Sequence, residues 1–305
     1  MFSRRFAAAG WRIFGSTVRR GFRQTAQNGK KVAYVTGGGA TTTFALSFFG
    51  GGASDKKDIK TGGTNIEAVI READVLYNNY MIDNVWGVLR RFERTNEPEL
   101  LWRLARVLAE KAKLTKDKNE KKTLFLEALE YAQKALSNEP VSGCFGAHKW
   151  YAIIINYVGE LEGTSAHIKR SYEMKQHLER ALEIDPLDAT TWHILGVWHY
   201  TFADMPTYQR YAAKAIFGTP PSSTYEEALR HFERAETLQP GFYKANAYSL
   251  GEVLEKLGRK AEALEFYKKA FTGPIISVDD RESHEKALAK LKKSGIDEKT
   301  LIAGN

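Results

Sequence analysis

The sequence predicts an all-α chain built as a curved helical-repeat solenoid, and three observations carry that expectation. A small residue recurs five positions before a proline in three segments: Ala135 before Pro140, Ala181 before Pro186 and Ala235 before Pro240. Seven positions before each of those alanines stand Ala128, Met174 and Ala228. No stretch shows the period-two alternation, bounded by turn residues, that a strand ladder needs. Small side chains at this spacing let a second helix pack closely on its neighbours. Proline then stops it, because it lacks an N–H and its ring clashes with the preceding turn. A pattern that returns at this interval marks stacked helical units, none of which buries its apolar face alone.

Residues 1–31 come first. They hold all of the chain's surplus charge: Arg4, Arg5, Arg12, Arg19, Arg20, Arg23, Lys30 and Lys31, with no acid before Asp55. At 100° per residue Phe2, Phe6, Ile13 and Phe14 share one side and most of the arginines the other. The segment is therefore a basic, amphipathic, presequence-like helix former, the kind read by anionic membrane surfaces and import receptors. It predicts a mitochondrial address; cleavage after Phe22 would leave a net charge of +3. With 45 basic and 37 acidic residues in all, the rest of the chain is neutral. A neutral body lacks the basic surface that phosphate backbones require, so no nucleic-acid partner is expected.

Residues 32–62 follow as an uncharged Gly/Thr-rich run and linker. The uncharged part, 32–54, is long enough to span a bilayer, yet Gly37-Gly38-Gly39, Thr41-Thr42-Thr43 and Gly50-Gly51-Gly52 dilute it. Weak membrane anchor and flexible linker both remain open. The run from Val32 to Gly39 imitates a strand entering a dinucleotide loop. It lacks the third glycine, the βαβ context and the Lys-Ser/Thr step, so it does not predict nucleotide binding.

The helical domain is assigned to residues 63–305. Residues 66–77 and 81–92 read as a first helix pair, and Pro98 opens the next helix. Trp192 to Gly196 and Leu250-Gly251 match the Leu-Gly step of a tetratricopeptide first helix, and Gly258 stands where its inter-helix turn belongs. A further unit places Ala263 and Ala270 seven apart. The intervals from Ala135 to Ala181, Ala235 and Ala270 are 46, 54 and 35 residues, so two repeats are lengthened beyond the 34-residue template. The longest insertion holds an extra helix over 208–217, then a Pro/Ser/Thr turn whose last residues cap the following helix, with Glu226 and Glu227 in its first turn. The count comes to about eleven helices.

Chemistry is sparse. The single cysteine, Cys144, excludes an internal disulfide and a multi-Cys metal site. None of the seven histidines forms a His-Glu-x-x-His helix, and no Gly-x-Ser-x-Gly elbow is present. A non-enzymatic protein without cofactor or metal is expected. A chaperone-type carboxylate clamp is not, because Asn156, Lys244 and Asn246 fall outside its frame. Two candidate surfaces remain. Lys111, Lys113, Lys116, Lys118, Lys121 and Lys122 surround a loop between helices and would suit an acidic partner. Tyr200, Phe202, Tyr208, Tyr211, Phe217 and Tyr225 crowd the insertion and would suit a groove or lipid pocket.

Several long strings then resemble the regulator of microtubule dynamics family: 99–106 (Glu-Leu-Leu-Trp-Arg-Leu-Ala-Arg), 148–152 (His-Lys-Trp-Tyr-Ala), 200–206 (Tyr-Thr-Phe-Ala-Asp-Met-Pro), 219–225 (Thr-Pro-Pro-Ser-Ser-Thr-Tyr) and 240–243 (Pro-Gly-Phe-Tyr). The likeness spans about residues 64–290, and the presequence-like start is similar to the mitochondrial, soluble branch. The resemblance implies an adaptor tied to microtubules and spindle poles, located at the cytoskeleton and in the cytoplasm. It also implies, as an alternative, a phospholipid-binding or tethering module at mitochondrial contacts.

Overall fold

A computed structural model describes residues 65–217, 221–296 and Leu301. The segments 1–31 and 32–62, with their expected address and anchor, lie outside the described residues. From Ile66 onward the described residues belong to one compact unit. Among them no strand occurs and twelve α-helices follow one another. They are α1 (Ile66–Asn78), α2 (Ile82–Leu89), α3 (Pro98–Leu114), α4 (Lys118–Ser137), α5 (Phe145–Glu162) and α6 (Thr164–Ile184). Then come α7 (Ala189–Ala203), α8 (Thr207–Phe217), α9 (Tyr225–Leu238), α10 (Lys244–Lys256), α11 (Lys260–Thr272) and α12 (Val278–Lys293). The helix beyond the expected eleven is α12, which carries no Ala-to-Pro frame. The 81–92 helix ends early, its last residues forming a 3-10 turn over Arg90–Phe92.

The repeat pairs are α3 with α4, α5 with α6, α7 with α9 and α10 with α11, so α8 is the insertion in the third pair. The alanines read from the sequence sit at the pair contacts: Ala128, Ala135, Ala181, Ala228, Ala235 and Ala270 are all fully buried. The Leu-Gly step has a steric cause. A Cβ on Gly196 would lie 2.7 Å from the Phe232 ring, and one on Gly251 would lie 2.5 Å from Tyr267. Only glycine lets the aromatic of the second helix reach the first helix's backbone.

Side-chain caps set several helix starts. Asp117 accepts from the Asn119 and Glu120 amides, and Asp188 from Thr191. Thr224 is the N-cap expected at the end of the insertion and forms a reciprocal capping box with Glu227, and Ser277 with Asp280 forms another. The core runs the length of the domain in three clusters. One lies among α1, α2 and α3, one between α3 and α7, and one from α7 to α12. Helix α7 belongs to two of them: Leu195, Trp198 and Phe202 face one way, Val197 and Tyr200 the other.

Candidate functional site

The first helices of three repeats, α5, α7 and α10, border one cavity together with the last helix, α12. This small cavity of about 60 Å³, open to solvent on one side, is bounded by Tyr157 of α5, His193 and Val197 of α7, and Tyr248 and Ser249 of α10. Its remaining wall is α12, through Asp279, Glu282, Ser283 and Lys286. The first turn of α12 thereby meets the first repeat, 166 residues away in sequence. Lys113 Nζ of α3 donates to Asp279 at 2.7 Å and lies 3.2 Å from Glu110. The Tyr243 hydroxyl donates to the same Asp279 carboxylate at 3.2 Å. Tyr77 and Tyr80 direct their hydroxyls at Glu110, each at 3.4 Å.

Burial sets the electrostatics here. It disfavours the Lys113 ammonium, but Glu110 foremost, with Asp279, more than offsets that and holds its pKa well above the lysine value. Burial, then the Asp279 charge, drives the Tyr243 hydroxyl far above the usual tyrosine range. Glu160 on α5 is different. Desolvation foremost, helped by the nearby Glu282 charge, raises its pKa to about 8 against the hydrogen bond donated by Asn156 and the charge of Lys121. Its carboxyl is therefore largely protonated at neutral pH.

The six lysines of the 111–122 stretch separate into two groups. Lys113 is buried in the closure just described, and Lys111 is paired to Asp83 at 2.7 Å. Lys116, Lys118 and Lys122 are exposed and Lys121 half-buried around the α3–α4 turn. None of these four makes an ion pair among the described residues. The aromatic residues of the insertion also part company. Tyr200 and Phe202 are buried in two different core clusters. Tyr225 packs against Tyr200, with ring centroids 5.8 Å apart, and donates to Asp204. Tyr208 and Tyr211 are exposed on α8 at 54% and 71%, and the Phe217 side chain lies outside the described set. The structure therefore does not gather these six residues into one pocket. The cavity uses other tyrosines, Tyr157, Tyr243 and Tyr248, which are spread over 92 residues of sequence and share no local motif.

Other polar groups are committed internally. Lys244 donates to the Ala270 and Phe271 carbonyls. Asn246 donates to the Phe232 carbonyl and lies 3.1 Å from His193. Both residues thus brace α10 rather than clamp a carboxylate. His148 and His177 face each other through Nδ1 at 2.8 Å, and His199 stacks on His231. Among the described residues no group of three His, Cys, Asp or Glu is placed to hold a metal ion. No described helix is long and apolar enough to cross a membrane.

With this geometry in view, comparison with known proteins is informative. A family model described as "Regulator of microtubule dynamics protein 1-3" matches residues 69–295. The chain belongs to the regulator of microtubule dynamics family. It is 43% identical to regulator of microtubule dynamics protein 1 of Mus musculus over 223 residues, covering 73% of this chain and 72% of that protein. It is 44% identical to the Bos taurus protein 1 over 228 residues, covering 74% and 71%. Protein 3 of Xenopus laevis is 36% identical over 185 residues, 61% of this chain and 40% of that one. Among solved structures, a thermophilic TPR protein of Thermus thermophilus aligns with TM-score 0.50 at 19% identity, over 73% of this chain and 98% of that one. That likeness speaks to the fold and agrees with the tetratricopeptide-like solenoid. In this family member the latest helix, α12, returns to the first repeat, and the closure lies within the matched span.

Proposed function

We propose that this chain is a non-enzymatic, tetratricopeptide-like adaptor that binds microtubules or their associated proteins. The face around the cavity and the adjacent α3–α4 turn form the docking region. The observation that carries the reading is the cluster Lys116, Lys118, Lys121 and Lys122 around the α3–α4 turn: Lys116 and Lys118 are exposed and make no ion pair among the described residues, while Lys121 and Lys122 stand near Glu160 and Glu162, and such a cluster suits an acidic partner such as a tubulin tail. The family name supports the microtubule connection. The proposal extends to a cytoskeletal site of action and a role at spindles. Co-sedimentation of the full chain with polymerised tubulin tests it. Pelleting at low salt that falls as salt rises is expected, and no pelleting at low salt would overturn it.

A second reading, a phospholipid-binding or tethering module at mitochondrial contacts, draws on the insertion. Residues 205–225 contain no acid, and Tyr208 and Tyr211 stand exposed beside Arg210 and Lys214. Tyrosine and basic side chains suit a membrane interface. Native mass spectrometry of the purified chain is expected to show bound phospholipid under this reading. A ligand-free spectrum together with no binding to anionic vesicles would refute it.

A further inference from the structure

We propose that the first turn of α12 is a latch over the small chamber, released when an acidic segment takes the place of Asp279 on Lys113. The inference rests on the docking face assigned above and adds how access to that face is controlled.

Three contacts hold the turn down, and each comes from a different part of the domain. Lys113 of α3 reaches Asp279 at 2.7 Å. Tyr243, at the start of α10, donates to the same carboxylate. Tyr80, in the α1–α2 turn, lies against the Val278 backbone. Tyr80 is held at φ 55°, and it is the single non-glycine with positive φ among the described residues. This is the left-handed residue that ends α1: the Tyr80 N–H donates to the Tyr77 carbonyl and the Met81 N–H to the Leu76 carbonyl. The three contacts join the first helices of the domain to the last without an apolar core between them. None of the three core clusters contains both a residue of α1–α3 and a residue of α12. The closure is therefore polar and local, whereas Ala287 and Leu291, further along α12, are fully buried in the last cluster. The first turn can lift while the rest of α12 stays docked.

The chemistry of release is on the page as well. Lys113 keeps Glu110 as a second carboxylate, so exchanging Asp279 for an external carboxylate leaves no ammonium stranded. The exposed lysines begin three residues further on, at Lys116, and would concentrate an acidic chain beside the latch. Asp279, in the first turn of α12, lines the chamber itself, so lifting that turn opens the chamber at this wall.

The test is thiol alkylation of the full chain carrying Ser249→Cys, which places a reporter in the chamber wall. Cys144 serves as an internal control. It is buried, and burial raises its thiol pKa to about 12, so it reacts slowly unless the domain unfolds. Adding Asp279→Asn should speed alkylation of the reporter by about tenfold or more, the scale of a lost charged hydrogen bond, with Cys144 unchanged. A deca-glutamate peptide should speed the reporter in the protein with Asp279 intact, and a deca-lysine peptide should not. The proposal is overturned if Asp279→Asn leaves the reporter rate unchanged, if reporter and Cys144 accelerate together, or if deca-glutamate has no effect. Microtubule pelleting is scored separately. Its failure would remove the microtubule reading without altering the alkylation result.

Discussion

Replacing Asp74 by Asn should loosen the first helix pair from the solenoid. Asp74 on α1 accepts from Arg103 Nε at 3.0 Å and Nη2 at 2.7 Å, and from Arg106 Nη2 at 2.7 Å. Both arginines are only 7% exposed. Burial works against the Asp74 carboxylate, but the hydrogen bond and charge of Arg103, followed by those of Arg106, outweigh it and hold its pKa below the ordinary aspartate value. In the variant Arg103 keeps Glu99 at 2.7 Å. Arg106 loses its one carboxylate among the described residues and is left over the Tyr77 and Trp102 rings, whose centroids lie 3.8 and 5.0 Å from its guanidinium carbon. A buried charge losing its partner costs about 3–5 kcal/mol; with Asp74 about a third exposed and Arg103 still paired, about 2–3 kcal/mol is expected here. That corresponds to a fall in Tm of roughly 4–12 °C for a domain of this size. Because solenoid stability is a sum of neighbour interfaces, hydrogen exchange should rise first in α1 and α2, ahead of α5 to α11. The pH dependence has a definite sign. A depressed folded-state pKa gives stability that is present above the unfolded value and lost as pH falls through the folded one, so the gap between wild type and variant should close below about pH 4. An unchanged Tm at pH 7, or an additive Asp74→Asn/Arg106→Met double-mutant cycle, would refute the reasoning.

Gly251→Ala should destabilise by about 1–3 kcal/mol, because the new methyl would press on the Tyr267 ring; thermal unfolding checks it, and Gly251→Ala with Tyr267→Leu should recover part of the loss. Burial pushes the pKa of His193 and of His167 down to about 4. Depressed histidine values mean that stability is full above about pH 6.5 and declines as pH falls toward 4, by up to about 3 kcal/mol per residue, so His193→Gln should flatten the Tm profile over that window. The triple change Lys116→Glu, Lys118→Glu, Lys122→Glu should leave Tm within about 2 °C, as exposed unpaired charges contribute little, yet weaken low-salt microtubule pelleting by about tenfold. Equal pelleting by this variant and the wild type would remove the α3–α4 turn from the proposed interface.

The repeat, the insertion and the cap that follows it were legible in the sequence because each depends on short spacings. Ala128 and Ala135 share a helix face seven residues apart, Thr224 needs only Glu227 three residues on, and proline ends a helix through its own ring. The family strings likewise lie in continuous runs. Helix α12 was harder to see, since its buried positions, Ser283, Ala287 and Leu291, form a sparse apolar stripe among charges. The candidate site was partly misread for a related reason. A lysine run beside a turn looks uniformly solvated, yet the α3 helix turns Lys113 inward while its neighbours Lys116 and Lys118 stay in water.

Local sequence thus determined most of the helices up to α11, that they stack as repeats, and that the charge surplus sits in residues 1–31. Tertiary structure alone decided which of these segments meet. The pairing of Lys113 with Asp279, the division of Tyr200 and Phe202 between two cores, and the chamber bounded by Tyr157, Tyr248 and α12 all depend on how the helices pack on one another. The stacking of successive repeats brings residues 166 positions apart within hydrogen-bonding distance, and no short spacing along the chain encodes that meeting.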